Sequence, residues 1–230
     1  MTAAGPPRWH ARYPSLAYVA PFATFMLLLV AAPYLPGPPR LMAVLRFLAL
    51  VAALWVFSRG VLTFRPRHWI TSTSLGIVVF ALWVAPDLFL PSWREHWLFS
   101  NGLTGTVEGP LPEAARHDPL RLVLRAARAV ILVPIIEELF WRAWLPRWLD
   151  HPRDFQQVPL GRYSLASFGL TALLFASEHG RMWDVGLAAG VLYNWWMIRT
   201  KNLGDLILAH AVTNACLSAY VLLRQRWEYW

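Results

Sequence analysis

The sequence predicts an all-α protein, a polytopic transmembrane helical bundle of about seven or eight spans. The first observation is composition, because 57% of the 230 residues are hydrophobic and only 15% are charged, whereas a soluble domain carries about 25% charged residues. The second is arrangement, because long apolar runs alternate with short segments that hold most of the arginines. The third is the 14 tryptophans, many of which flank the runs, where an amphipathic ring suits the headgroup zone.

Three candidate spans lie in the N-terminal half. Residues 15–35, 41–62 and 71–90 are each close to the roughly 20 apolar residues that cross a bilayer. We predict that the first is a retained anchor, because prolines follow it at positions 33–39 without a clear small-residue cleavage site. Residues 91–118 are polar, with Gly and Pro throughout, and predict the longest loop.

A long helix, continuous or broken, is predicted next, over residues 119–149. Its first part is predicted to lie in the membrane interface as an amphipathic helix, because its three arginines share one face. They are Arg121, Arg125 and Arg128. From Ala129 onward the helix enters the membrane, and Pro134 is expected to kink it.

Three further spans complete the chain, at residues 163–177, 183–198 and 203–223. We divide the chain into N-terminal transmembrane helices with their connecting loop, residues 1–118, and a C-terminal helical bundle, residues 119–230.

The net charge of +8 does not indicate nucleic-acid binding, because no segment forms a dense basic patch. Orientation in the membrane and attraction to anionic lipid explain the arginines better. A cytoplasmic N-terminus is favoured, because the inner segments then hold more of the basic residues. Those residues are Arg8, Arg12, Arg65, Arg67, Arg147, Arg153, Arg162, Arg199 and Lys201. The outer segments include Glu95, Glu108, Glu113 and Asp118.

The run VPIIEELFWRAW, residues 133–144, places three ionisable groups in an otherwise apolar stretch. Charged groups at membrane depth cost about 2.5–3.5 kcal/mol each and normally face the interior of a bundle. Glu138 and Arg142 have the i,i+4 spacing at which they can neutralise each other. Glu137 lies about 100° round the helix without that partner, so it is the carboxylate best suited to proton transfer. The structural alternative is an ion-pair cluster that ties helices together.

Two other apolar segments also carry polar side chains. His179 ends the run LLFASEHG, where a histidine is also common as a cap, and Glu178 beside it is expected to face water. His210 and Asn214, in LILAHAVTNA, share one helix face, where both can donate hydrogen bonds to a developing oxyanion; their structural alternative is to hold helices together. Asn194, in VLYNWW, is predicted to hydrogen-bond across helices in a structural role.

Buried polar groups recur in three separate apolar segments, at a cost that structural cohesion alone does not require. A general base, a histidine partner and oxyanion donors are a sufficient set for peptide-bond hydrolysis by activated water.

Three motifs resemble those of the CAAX-protease and bacteriocin-processing family of intramembrane proteases. They are EELFWR at residues 137–142, FASEH at 175–179 and HAVTN at 210–214, in the family's order. The family pattern is a glutamate pair with an arginine four residues on, a phenylalanine with a histidine four on, and a histidine with an asparagine or aspartate four on. The resemblance covers residues 122–223, and the wider setting is similar to the bacterial branch that accompanies exosortase-type protein sorting.

The resemblance implies that the bundle of residues 119–230 is catalytic, with its active site open to an internal cavity. Glu137 and His179 would activate a water, and the Glu–Arg pair that follows would hold the geometry. His210 and Asn214 would stabilise the tetrahedral intermediate. The implied catalytic residues are therefore Glu137, Glu138, Arg142, His179, His210 and Asn214. The implied partners are the lipid bilayer and a membrane-anchored protein or peptide substrate, and the implied location is the bacterial inner membrane.

No cofactor is firmly predicted. The resemblance also admits a metalloprotease, in which Glu137, His179 and His210 would form a three-ligand zinc site with an open position. The sequence lacks the H-x-x-x-H or H-E-x-x-H spacing of a helical zinc site, so a metal-free glutamate mechanism is favoured.

Two other functions stay open. Members of the family are associated with self-immunity to bacteriocins or with scaffolding, but every motif residue is present here, which favours an active protease. A proton-coupled transporter would use the intramembrane ionisable groups as a relay, although no repeated half with matching broken helices is visible. The single Cys216 lies about 240° round the helix from His210, so we predict a packing residue and not a nucleophile.

Overall fold

The computed structural model describes residues 12–90, 92–101 and 111–230. Within these ranges the structure consists of helices and connecting segments without a β-strand, so the predicted all-α class is confirmed. The α-helices, numbered in chain order, are α1 (Leu16–Ala31), α2 (Pro39–Ala53), α3 (Trp69–Phe89), α4 (Glu113–Arg116), α5 (Pro119–Ala127), α6 (Val133–Glu138), α7 (Leu145–Asp150), α8 (Leu165–Ser177), α9 (Trp183–Thr200) and α10 (Leu203–Arg224). Arg8 and Glu108, used above for the orientation, lie outside the described residues.

Among the described residues, four helical segments are long and apolar enough to cross a membrane. Leu16–Tyr34 and Pro39–Ser58 extend α1 and α2 by a 3-10 turn and a π-helical turn, and the other two are α3 and α10. The remaining predicted spans are the broken helix after residue 119, the apolar α8 of 13 residues and α9 of 18 residues. The architecture is therefore a polytopic bundle of transmembrane helices.

The long helix that begins at residue 119 is interrupted twice by π-helical turns, at Arg128–Leu132 and Leu139–Trp144. Pro134 lies at the start of α6, directly after the first of these turns, where its missing N–H is tolerated. Wide π turns inside helices are frequent at functional sites. Glu137 and Glu138 are the last two residues of α6, the α-helical segment between the two π-helical turns. Arg142 lies in the second π-helical turn.

The connecting segments gather at two ends of the bundle. We call the end of the bundle at which α10 begins the lower end. There the loop before α3 is hydrogen-bonded to α10. Asp205 accepts hydrogen bonds from the backbone N–H groups of Arg67 at 2.6 Å and His68 at 2.8 Å. Because Asp205 is fully buried and lies in the first turn of α10, its negative charge also suits the positive end of that helix.

At the upper end, α3 and α10 end and α9 begins. Arg94 forms ion pairs with Asp87, at 3.1 Å, and with Asp184 in the first turn of α9. The hydroxyl of Tyr229, which follows α10, donates to Asp87 at 2.6 Å. These contacts join the end of α3, the segment after it and the C-terminal residues into one cap on the bundle.

Helices α3 and α10 cross closely at Gly76. A Cβ at this position would lie 2.4 Å from the carbonyl oxygen of Ala209 and 2.7 Å from Cβ of Val212, so only glycine permits the approach. Thr213 uses the same crossing, because its hydroxyl donates to the Gly76 carbonyl at 2.9 Å. Small residues at such crossings are the usual means of packing helices in membranes, and here the crossing positions the face of α10 that holds His210.

Candidate active site

A cavity of about 200 Å³ lies toward the upper end of the bundle. Trp83 near the end of α3, Leu217 near the end of α10 and the C-terminal Trp230 are parts of its wall, and each belongs to the upper half of the bundle. Side chains from three sequence-distant segments meet in it. Of the six residues that the sequence implied, the cavity is lined by Glu137, His179, His210 and Asn214. Glu138 and Arg142 do not line it and are buried beside it.

Glu138 is fully buried, and one of its oxygens serves two partners. Arg142 donates to Oε1 through Nη1 at 3.2 Å, which confirms the predicted i,i+4 pair. Nδ1 of His210 lies 2.7 Å from the same oxygen. An ionised carboxylate only accepts hydrogen bonds, so Nδ1 carries the hydrogen and donates it. A single oxygen atom therefore links the helix of the glutamates to α10.

Arg142 is held on several sides. Its Nε donates to Oδ1 of Asn194 at 3.3 Å, and its guanidinium carbon lies 4.1 Å from the ring centroid of Phe175. Asn194 in turn donates to the carbonyl of Phe168 at 3.0 Å and to the hydroxyl of Thr171 at 2.9 Å. The predicted hydrogen bonding of Asn194 across helices is confirmed. The arginine is thus anchored by α8 and α9, and its position does not depend on Glu138 alone.

Glu137 is 6% exposed and differs from its neighbour in having no such partner. Its Oε2 makes no hydrogen bond to any described residue, and the ring Nε2 of His210 is 3.9 Å away, beyond hydrogen-bond distance. The prediction that Glu137 lacks the partner of Glu138 is confirmed. A buried carboxylate with a free oxygen is expensive to maintain, and its lone pairs remain open to a water or substrate in the cavity.

His179 follows α8 and is fixed by its own helix. Its Nδ1 lies 2.7 Å from the carbonyl oxygen of Phe175, and because a carbonyl only accepts, Nδ1 carries the hydrogen. In the neutral ring, Nε2 is then a free acceptor. Gly186 of α9 leaves space for the ring, since a Cβ there would lie 3.1 Å from Cβ and Cγ of His179. The indole of Trp83 packs edge-on against the ring at 5.1 Å.

Asn214 donates through Nδ2 to the carbonyl of Ala129 at 2.8 Å. A side-chain amide has two N–H groups, so one remains after this bond is made. His210 is oriented from its other face by Tyr193, whose ring stacks on it at 5.2 Å and whose hydroxyl donates to Thr213 at 2.8 Å. Asn214 therefore keeps one N–H group, and His210 keeps its ring nitrogen Nε2, for chemistry in the cavity.

A metal site does not form from the candidate ligands. No group of three His, Cys, Asp or Glu side chains in the described ranges is arranged to hold a metal ion. The zinc set of Glu137, His179 and His210 consists of residues that share the cavity wall without forming such a group. We therefore derive no catalytic step through zinc.

Sequence reasoning missed Tyr193 and Trp83, and it misplaced Glu178. Both aromatic residues line the cavity and touch a catalytic candidate, but nothing in their local sequence separates them from the many other aromatic residues. The expectation that Glu178 faces water is wrong, because the residue is half-buried and its Oε1 is shielded from solvent. Glu178 directly follows α8, and a 3-10 turn at Gly180–Met182 comes next. Cys216 is a free, half-buried thiol that does not line the cavity.

Comparison with known proteins adds one match. Residues 119–216, somewhat less than half of the chain, match the family model described as type II CAAX prenyl endopeptidase Rce1-like. The resemblance inferred from the three motifs is confirmed over this segment, which contains all six implied site residues. No curated protein and no solved structure matches the chain. The apolar helices indicate an integral membrane protein, and residues 119–216 are similar to a family of CAAX prenyl endopeptidases.

Proposed function

We propose, from the premise that residues 119–216 form an Rce1-like CAAX endopeptidase segment, that the protein is an intramembrane endopeptidase. It hydrolyses a peptide bond of a membrane-associated protein or peptide with water activated by Glu137 and His179. One observation carries this proposal most directly. Glu137, His179, His210 and Asn214 come from three separate segments of the chain and line one cavity, as a shared catalytic site requires.

Water activation is the role proposed for the two groups with free acceptor atoms. Oε2 of Glu137 has no hydrogen-bond partner among the described residues, and the Nδ1 bond of His179 leaves Nε2 as an acceptor. A water that donates one hydrogen to each would lose a proton to Glu137 as its oxygen attacks the substrate carbonyl. Glu137 would then return that proton to the amide nitrogen as the carbon–nitrogen bond breaks, so the carboxylate is regenerated.

Stabilisation of the oxyanion is the role proposed for α10. Asn214 retains one N–H after its bond to Ala129. His210 donates to Glu138 through Nδ1, so it offers a second donor at Nε2 only as an imidazolium. Donors fixed before the reaction stabilise developing charge without reorganisation.

The position of the cavity and the charge of the loops together indicate on which side of the membrane the active site opens. We propose a bacterial inner membrane location with the N-terminus in the cytoplasm, because the lower end carries arginine-rich loops. The cavity lies toward the upper end. Under this orientation, the scissile bond of the substrate is presented near the extracytoplasmic face of the membrane.

Glu137→Gln is the direct test. It keeps the shape of the side chain but removes the base, so we expect cleavage to stop while the thermal melt in detergent stays near that of the wild type. The measurement is quantitative proteomics of membranes from cells with wild type or variant, followed by cleavage of the accumulating protein by purified enzyme.

The matched control is Glu178→Gln, which changes a second enclosed carboxylate outside the cavity lining and should leave cleavage intact. Normal cleavage by the Glu137 variant would refute the assignment of the base. A chelator should leave the purified enzyme active, and inhibition that added zinc reverses would refute the metal-free mechanism.

A further inference from the structure

A second cavity, of about 250 Å³, lies between α2 and the helix that begins with α5. Four arginines line it, one from α2 and three from the interfacial face of the second helix. They are Arg46, Arg121, Arg125 and Arg128. None of the described residues in its lining is acidic. The guanidinium groups of Arg46, Arg121 and Arg128 around one space repel one another, so the arrangement calls for an anionic ligand.

The carboxylate next to this cavity already has hydrogen-bond partners outside the cavity. Asp118 precedes α5, and its Oδ2 accepts from Nε of Arg40 at 2.8 Å. The hydrogen bond from Arg40 lowers the pKa of the Asp118 carboxyl below its ordinary value. Its other oxygen accepts from the backbone N–H of Arg121 at 3.4 Å and caps the helix. Asp118 therefore stabilises the start of α5 and is paired with an arginine outside the cavity lining.

Arg46 gives the strongest indication of a missing partner. It lies in α2, within a segment long and apolar enough to cross a membrane. Its Nη2 donates to the carbonyl of Ala32 at 3.3 Å, while its Nε is enclosed without a hydrogen-bond partner among the described residues. A charged donor left unsatisfied away from water is costly, and a phosphate oxygen is the acceptor that a guanidinium fork fits best.

The rest of the lining is apolar and suits a hydrocarbon chain. Its apolar members are Leu35, Pro39, Met42, Ala43, Phe47, Leu111, Ala115, Leu122 and Leu124. The cavity thus combines a cationic region on an amphipathic helix with an apolar wall to which a membrane-spanning segment contributes. Basic pockets between transmembrane helices bind the headgroups of anionic lipids.

We infer that this cavity binds the phosphate group of an anionic membrane lipid. The guanidinium groups hold the phosphate, and the apolar wall holds the upper part of an acyl chain. The site is distinct from the proposed active site but adjoins it. Arg125 lies 5.5 Å over the ring of Trp230, which lines the catalytic cavity. Ala129, which directly follows Arg128, lines that cavity as well and accepts the bond from Asn214.

The test is lipid retention by the full-length protein, measured by native mass spectrometry. The protein is exchanged into nanodiscs of phosphatidylcholine alone or of phosphatidylcholine mixed with phosphatidylglycerol, and inorganic phosphate is offered in a third arm. We expect wild type to retain phosphatidylglycerol, and the double variant Arg46→Gln/Arg121→Gln to lose retention by about tenfold or more, as for lost charge-assisted contacts to phosphate. The matched control is Arg224→Gln, which removes an exposed arginine at the same end and should change retention by less than about twofold.

The melting temperature is a second measurement, which decides the test if lipid retention is hard to measure in the variant. Removing like charges from an unfilled cluster should leave the melting temperature in phosphatidylcholine equal or higher, and it should abolish the rise that phosphatidylglycerol causes. Competition by inorganic phosphate would support the cavity and assign it a soluble phosphate instead of a lipid. Equal retention of the two lipids by wild type would overturn the inference, and so would equal losses in Arg224→Gln and the double variant. Proteolysis is not the readout, so failure here is separable from failure of the proposed function.

Discussion

Replacing Glu138 with alanine removes one oxygen atom on which two other buried groups depend. Oε1 of Glu138 accepts from Arg142 at 3.2 Å and from His210 at 2.7 Å. All three residues are at most 5% exposed, so water does not replace the lost acceptor. Arg142 keeps its bond to Asn194 and its contact with Phe175, but its charge is left without a carboxylate in direct contact.

The expected loss of stability follows from these contacts. Removing one partner of a buried ion pair costs about 3–5 kcal/mol. The bond from His210 to a charged acceptor is worth about 1.5–3 kcal/mol by itself. Because both bonds share one atom, the two losses are not additive, and we expect a total near about 3–5 kcal/mol. On the scaling of domains of similar length, the melting temperature would fall by roughly 6–20 °C.

The assay is a thermal melt of purified variants in one detergent. Glu138→Gln keeps an oxygen acceptor without the charge, so its loss should be intermediate. Glu137→Ala is the matched control, because within the described part of the chain Oε2 of Glu137 has no hydrogen-bond partner to lose, and it should melt near the wild-type temperature. The double variant Glu138→Leu/Arg142→Leu should recover part of the loss, since an apolar pair leaves no unpaired charge. A Glu138→Ala protein that melts with wild type would show that the shared oxygen is not a structural link.

Two further predictions concern the histidine pocket and the orientation. Gly186→Ala should lower proteolysis with little change in melting temperature, because the new Cβ would lie 3.1 Å from the ring carbon Cγ of His179 and displace the ring. The control is Gly169→Ala, whose Cβ would meet nothing within 4 Å. Equal proteolytic activity of the two variants would contradict the reasoning. In a Cys216→Ala background, an impermeant maleimide should label Glu95→Cys in intact cells and Arg153→Cys only after permeabilisation. The reason is that these two exposed residues lie at opposite ends of the bundle. The reverse labelling would place the N-terminus outside the cell and the cavity toward the cytoplasm.

Local spacing predicted the charged pair of the glutamate helix well. Residues four apart on a helix are neighbours whatever surrounds them, so Glu138 and Arg142 could be paired from the sequence, and Glu137 could be recognised as unpaired. The same reasoning put His210 and Asn214 on one face. It failed for Glu178, because the direction of a side chain after a helix end depends on how the following turn packs.

The long-range contacts of the site could not be predicted in this way. His210 reaches Glu138 across 72 positions, and Asn194 holds Arg142 across 52. Such pairs depend on which helices pack together and at what distance, and the sequence reveals this only indirectly through small residues such as Gly76. The arginine cavity is a similar case, because Arg46 and the arginines of the second helix look unrelated until α2 and α5 are seen side by side.

By itself, the sequence determined that this chain lies in a membrane as helices and that three of its apolar segments carry polar groups at considerable cost. Those conclusions rest on composition and on helical periodicity, which act over a few residues and need no partner. Only the tertiary structure decided that Glu137 and His179 keep free acceptor atoms in one cavity while Glu138 binds two groups behind them. Hydrogen-bond partners separated by many residues are selected by the close packing of helices, so the division of roles between two adjacent glutamates became visible only in the folded bundle.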